Sequence, residues 1–168
     1  FILHTFYVIL PPMLWADAIV EQIKIRCADK LLAGKPIVIR DEKTLSGRVH
    51  IGSLRGVAIH GMIAEVLAEE KLPHTFLFEF NDFDPMDGLP VYLDEKIFTP
   101  HMGKPLCDVP PPDNTAKNYA EYFGSEFAGV IKEIGYTPTH YRSSDLYRSG
   151  KYNEVIKISL EKAGVIRE

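Results

Sequence analysis

Hydrophobic and polar positions along this chain follow two periods, and the order in which they appear outlines a strand–helix–strand arrangement. Between Leu14 and Ala33, Trp15, Ile19, Ile23 and Cys27 recur at the spacing of one helix face, and Gly34 supplies a stop. "KPIVIR" then reads as a short buried strand over Ile37 to Arg40, opened by Pro36. After a glycine-rich turn, Leu54, Ala58, Met62 and Val66, with Val57 and Ile63 beside them, mark a helix running to about Glu70. Pro73 closes that segment, and the aromatic-rich "HTFLFEF" alternates as a strand does. Strand, turn, helix, strand is how a parallel sheet begins, so the expected class is α/β.

The pattern continues less regularly. "NDFDPMDGLP" is a loop dense in carboxylates, and prolines are frequent from there to Asp113. Thr115 is placed to cap a helix carrying Tyr119, Phe123, Phe127, Val130 and Ile134 on one side. "PTHYRS" reads as a third strand, and Ser144 or Asp145 opens the helical stretch "DLYRSGKYNEVIKISLEKAGVI". The first twelve residues, "FILHTFYVILPP", are an apolar run too short to span a bilayer, with no Lys or Arg ahead of it. They read as a non-native leader, with Met13 as the natural start.

Composition narrows the function classes. The 168 residues are 46% hydrophobic and 25% charged, ordinary values for one soluble domain with a core and no membrane partner. A net charge of -4 argues against holding nucleic acid by a general basic surface, so any RNA contact is local or made elsewhere. Cys27 and Cys107 lie far apart and neither has a nearby Cys partner, which fits neither a disulfide framework nor a zinc motif. A reducing cytoplasm is the default compartment.

Two stretches carry candidate chemistry, and both follow a strand. In an open α/β sheet, ligands sit beyond the C-terminal strand ends, where strand order reverses. In "LSGRVHIGSLRG", the small residues Ser46, Gly47, Gly52 and Ser53 let backbone approach a ligand closely. The helix that follows offers unpaired N–H groups and a positive dipole end to a phosphate, and His50 can donate to a phosphate oxygen as charge builds. The same residues equally describe an ordinary turn with a solvated histidine. In the acidic loop, Asp82, Asp84 and Asp87 suit a cationic group, a ribose hydroxyl or Mg2+, or simply a solvated turn. Arg55 either reaches a phosphate or faces solvent, while His60 and Met62 read as packing residues.

"HIGS" at 50–53 resembles the HIGH signature of class I aminoacyl-tRNA synthetases. "MLWADAI", "SGRVHIGSLRG", "FNDFDPMDGLP", "GKPLCDVPPPD", "NYAEYF" and "SDLYRSGKYNEVIKISLE" resemble, in this order, segments of the archaeal-type class I lysyl-tRNA synthetases, from Met13 to about Ile166. The resemblance implies a Rossmann-like catalytic domain that activates lysine with ATP and transfers it to tRNA(Lys), with Mg2+ accompanying the ATP. It implies that His50 and Ser53 serve catalysis, that Ser46, Gly47, His50, Gly52 and Ser53 hold ATP, and that Asp82 and Asp84 bind lysine. Gly52 is expected to leave room for the adenine ring. The expected division is the N-terminal half of the catalytic domain over 13–143 and a helical segment over 144–168.

The sequence departs from the family at several points. Ser53 stands where the family usually has Asn, and "TLSG" at 44–47 lacks the proline of the family's "TPSG". Thr115 and Ala116 replace a Cys-His pair of archaeal members, so no zinc is expected. The KMSKS loop and the anticodon-binding part are not among these residues. The chain is therefore expected to be inactive or weakly active alone, with the missing C-terminal half as a partner. Another HIGH-superfamily nucleotidyltransferase and a non-catalytic nucleotide-binding remnant are the competing readings.

Overall fold

The computed structural model describes residues 14–167, so the leader assigned to residues 1–12 lies outside the described residues. Three strands, β1 (Ile37–Thr44), β2 (His74–Asn81) and β3 (Thr139–Arg142), form a parallel sheet in the order β1-β2-β3. Helix α3 (Ile51–Glu69) connects β1 to β2, and α5 (Tyr119–Glu133) lies between β2 and β3. The α/β class holds. Among the described strands the order does not reverse, so the two candidate loops sit at the C-terminal ends of neighbouring strands rather than at a reversal point.

Register explains which face is covered. Ile37 pairs with His74 and Ile39 with Phe76, so the apolar positions of both strands stand on one side of the sheet. Helix α1 (Trp15–Arg26) contributes Ala16 and Val20 to one cluster there, with Ile37, Ile39, Ile63 and Leu67. Further along, Phe78 and Phe80 meet Tyr119, Phe123, Phe127 and Ile131 of α5, and Met86, Phe98, Leu106 and Val109 from the long β2–α5 connection close this second cluster. Each fully buried phenylalanine contributes roughly 2–3 kcal/mol of transfer free energy. Helix α3 is long and apolar enough by composition to cross a membrane, but it packs on α1, β1 and β2, which accounts for its apolar character.

Several boundaries differ from those read in the sequence. The first helix is two, α1 and α2 (Ala28–Leu32), with Cys27 out of helical geometry between them at φ -110° and ψ 18°. Its seam runs through Ala16 and Val20, leaving Trp15 and Ile19 exposed, because α3 meets the row one position on. β1 continues through the polar residues 41–44, each paired with β2 as far as Thr44 opposite Asn81. Asn118, not Thr115, caps α5 by accepting from the Glu121 N–H at 2.8 Å, while Thr115 donates its own N–H to Asp113. The buried row of α5 ends at Ile131, and Ile134 is exposed at the C-cap. Helix α6 (Ser143–Arg148) follows β3 with no intervening loop, and α7 (Asn153–Glu161) and α8 (Ala163–Ile166) follow it.

Candidate active site

The turn after β1 is assembled by its own backbone and by two distant tyrosines. His50 is the N-cap of α3, and its Nδ1 accepts from the Gly52 N–H at 3.1 Å. The exposed imidazole lies over Gly52, where a Cβ would sit 2.8 Å from His50 Cε1. Gly52 therefore makes room for the histidine ring itself, and a nucleotide ring packing there requires that imidazole to swing aside. Ser53 donates its backbone N–H to the His50 carbonyl at 3.0 Å. Two of the first N–H groups of α3, those of Gly52 and Ser53, are thus answered by His50 itself, and an anion at this end takes the place of the His50 imidazole on the Gly52 N–H.

On the far side of the turn, Tyr119 donates its hydroxyl to the Ser46 carbonyl at 2.8 Å, and the Arg48 N–H donates to the Tyr92 hydroxyl at 2.6 Å. Between these bonds, a Cβ on Gly47 would lie 2.8 Å from Tyr92 Oη and 2.9 Å from Pro90 Cγ. Leu45, standing where the family has proline, is fully buried and packs against Gly124 of α5. Two hydroxyl bonds and a buried leucine thus fix a turn that a proline would otherwise stiffen. Burial pushes the ionisation of Tyr119 far above the usual phenol range, so it remains a donor at any physiological pH. Neither Tyr92 nor Tyr119 announces this role in the sequence.

The acidic loop divides its carboxylates between two tasks. Asp82 is 1% exposed and accepts from the Ser144 N–H and Ser144 Oγ, both at 2.8 Å, and from Ser143 Oγ at 3.1 Å. A buried negative charge at the first turn of α6 is favoured by the helix dipole. Both of its oxygens are engaged in this anchor, and Arg142 stands 3.5 Å away. Asp84 is half-buried, and its Oδ2 accepts from Thr44 Oγ1 at 2.8 Å, immediately before the turn. Asp87 is exposed and Arg55 faces solvent.

Asp84 lines a cavity of about 320 Å3 on the sheet face opposite the α3–α5 core, with Arg40, Glu42, Glu79, Tyr147 and Tyr152 among its walls. Glu79 is buried, pairs with Arg40 and accepts from Tyr141 Oη at 2.7 Å. Burial and that bond to Glu79 push Tyr141 up to about 12. Arg40 answers Glu79, which leaves Glu42 and Asp84 as the excess charge of the cavity. His60, read as a packing residue, lies 3.2 Å from Asp41, whose carboxylate also fills the space that a Cβ on Gly56 would take.

A family model described as "tRNA synthetases class I (K)" matches residues 13–168. The chain belongs to this family. It is 32% identical over 152 residues to the lysine–tRNA ligase of Methanosarcina barkeri, covering 90% of this chain and 27% of that protein. The lysine–tRNA ligase of Methanocaldococcus jannaschii is 32% identical over 157 residues, with 93% and 28% covered. That of Pyrococcus horikoshii is 26% identical over 154 residues, with 92% and 28% covered. The chain thus spans just over a quarter of the length of these curated relatives, and its three-stranded parallel sheet with flanking helices fits part of a Rossmann-like class I synthetase domain. Within that domain Ser46, Gly47 and His50 lie on the turn, Gly52 and Ser53 open α3, Asp84 joins the base of the turn through Thr44, and Asp82 stands under α6.

Proposed function

We propose that this chain is the nucleotide- and lysine-holding part of a lysine–tRNA ligase that makes lysyl-adenylate from lysine and ATP and passes the lysyl group to tRNA(Lys). The observation that carries the proposal is the junction of the two loops. A helix N-terminus capped by an exposed histidine stands one residue-linked hydrogen bond, Thr44 to Asp84, from a cavity with excess negative charge. Anions suit the first, and an ammonium group suits the second.

In the proposed reaction a lysine carboxylate oxygen attacks the α-phosphorus of ATP, and the bond to pyrophosphate breaks. The α3 N-terminus and the Ser46–Gly47 backbone hold the phosphates, with His50 donating to an oxygen where charge builds and Ser53 offering a hydroxyl beside it. Mg2+ arrives on the ATP phosphates and no residue of this chain is assigned to it. Asp84, aided by Glu42, takes the lysine ammonium, while Asp82 acts through α6 by fixing the wall that carries Tyr147. The two free, partly buried cysteines suit the cytoplasm as the proposed compartment.

Calorimetry with a non-hydrolysable lysyl-adenylate analogue tests this reading, using His50→Ala and Asp84→Asn. Loss of adenylate affinity in the first variant and loss of lysyl-over-arginyl preference in the second is the expected pair. Unchanged binding in both folded variants refutes the assignment.

A further inference from the structure

The cavity assigned to the lysine ammonium already contains a cation of the chain's own. Arg40 of β1 and Glu79 of β2 both line it, and the Arg40 guanidinium donates to Glu79 Oε2. Tyr141 of β3 donates to that same oxygen at 2.7 Å, and the centre of its ring lies 5.8 Å from the guanidinium carbon. Glu79 is 4% exposed and is the one buried carboxylate on these walls, so its charge is met inside the fold. The half-exposed Arg40 side chain is thus held across the sheet, with its carboxylate partner on the middle strand and an aromatic ring on the third.

We infer that Arg40 is a specificity-determining residue: by occupying Glu79 it fills the seat that an arginine side chain would need, and it restricts the cavity to ligands carrying a primary ammonium. A guanidinium is planar and bonds best to a carboxylate that presents both oxygens to its fork. An ammonium is a point charge with three donors, and it can take one oxygen from each of several acceptors. Glu79 has Oε2 doubly engaged and Asp84 has Oδ2 engaged by Thr44, so neither presents a free pair. Glu42 is exposed, where water competes for a guanidinium. Asp84 Oδ1 has no donor among the described residues, and with an oxygen of Glu42 it leaves a divided seat that suits an ammonium. Arg40 is also tethered beside Glu79, so it competes for that carboxylate at an effective concentration that free arginine does not match. The inference rests on the reading that lysine binds in this cavity, and it names the residue that keeps out the other cationic side chain of similar length.

The test is calorimetry of the full chain and its variants with non-hydrolysable lysyl- and arginyl-adenylate analogues. Arg40→Met keeps the aliphatic stem and uncovers Glu79. The expected result is a rise of about tenfold in the arginyl-to-lysyl affinity ratio, the size of one charge-assisted hydrogen bond. Adding Glu79→Gln to Arg40→Met removes the uncovered carboxylate and is expected to return the ratio to its original value. Lys96→Met, on the short helix α4 (Glu95–Phe98) and outside this cavity, removes one positive charge and is expected to leave the ratio unchanged. Arg40→Gln keeps a donor on Glu79 without the charge; it is expected to shift the ratio the same way and decides the matter if Arg40→Met does not fold. An unchanged ratio in a folded Arg40 variant, or a double variant that still accepts the arginyl analogue, overturns the inference. If the original chain binds the lysyl analogue and the ratio does not move, only this inference fails. If the original chain binds neither analogue while Arg40→Met binds the arginyl one, the lysine reading fails and the role of Arg40 stands. If no form binds either analogue, both fall.

Discussion

Tyr119 donates its hydroxyl to the carbonyl of Ser46 at 2.8 Å, across 73 residues of sequence. The bond ties the start of α5 to the turn that precedes α3, and the ring beneath it is fully buried against Phe98 and Phe123. Together with the Tyr92 bond to the Arg48 N–H, it holds both sides of Gly47. Tyr119→Phe keeps the packing and removes only the donor. The expected cost is about 1 kcal/mol in urea unfolding, with faster amide exchange over residues 46–50 and weaker binding of an adenylate analogue. A loss of stability with no change in exchange at the turn contradicts this role.

Gly47→Ala addresses the same grip from the other side. The added methyl meets Tyr92 Oη and Pro90 Cγ well inside van der Waals contact, so the turn or the residue 90–92 segment must shift. We expect a loss of about 1–3 kcal/mol, as for other overpacked sites. A crystal structure or chemical-shift map of the variant places the movement. An unperturbed Tyr92 environment contradicts the account.

Asp82 and Asp84 separate under the same substitution. Asp82→Asn removes charge from a buried carboxylate that receives three hydrogen bonds from Ser143 and Ser144, so unfolding stability is expected to fall by about 2–3 kcal/mol. Asp84→Asn, with one hydrogen bond from Thr44 and partial exposure, is expected to cost about 1 kcal/mol or less and to weaken lysyl recognition selectively. The reverse ordering of stability losses excludes the anchor assigned to Asp82.

His140 gives stability a pH dependence. Its ring stacks on Phe80 at 4.8 Å while the residue as a whole stays exposed on β3, and the partial loss of solvent on the stacked face lowers its pKa below the ordinary histidine value. The folded state therefore favours the neutral ring. Its stabilising contribution is complete above the unfolded value near 6.5 and is lost as pH falls through the lowered folded value. Urea midpoints for the chain and for His140→Phe are expected to diverge as pH falls from about 7.5 toward 5, with the variant less sensitive. Parallel pH profiles rule this out.

The sequence made the local periodicities legible but not the long-range partners. The α3 apolar rows, the aromatic strand at 74–80 and the Tyr119–Phe123–Phe127 face of α5 follow from spacing, and all three are found in the core. The extension of β1 is not visible in Asp41–Thr44, because polar residues there are ordered by pairing with β2 rather than by burial. Asp82 and Asp84 look alike in sequence, and only the arrival of α6, whose Ser144 lies 62 residues on, shows that Asp82 anchors a helix. Neither Tyr92 nor the hydroxyl of Tyr119 carries a local signal for its bond to the turn. Leu45 in place of proline reads as a weakened turn until Tyr119 and Gly124 are seen against it.

His50→Ala has two expected consequences. Loss of the cap on the Gly52 N–H costs about 1 kcal/mol, and adenylate affinity falls by more than that loss explains. Thermal unfolding and analogue titration on the same samples separate them. Intact affinity with reduced stability leaves His50 as a cap only.

The central claim, that this chain already holds an amino-acid pocket beside a phosphate-binding turn, is tested most directly by titrating it with a non-hydrolysable lysyl-adenylate analogue in a calorimeter, with the arginyl analogue as control. The account predicts saturable binding of the lysyl compound, in preference to the arginyl one, that disappears in Asp84→Asn. No binding by a demonstrably folded chain, or equal binding of both analogues, contradicts it.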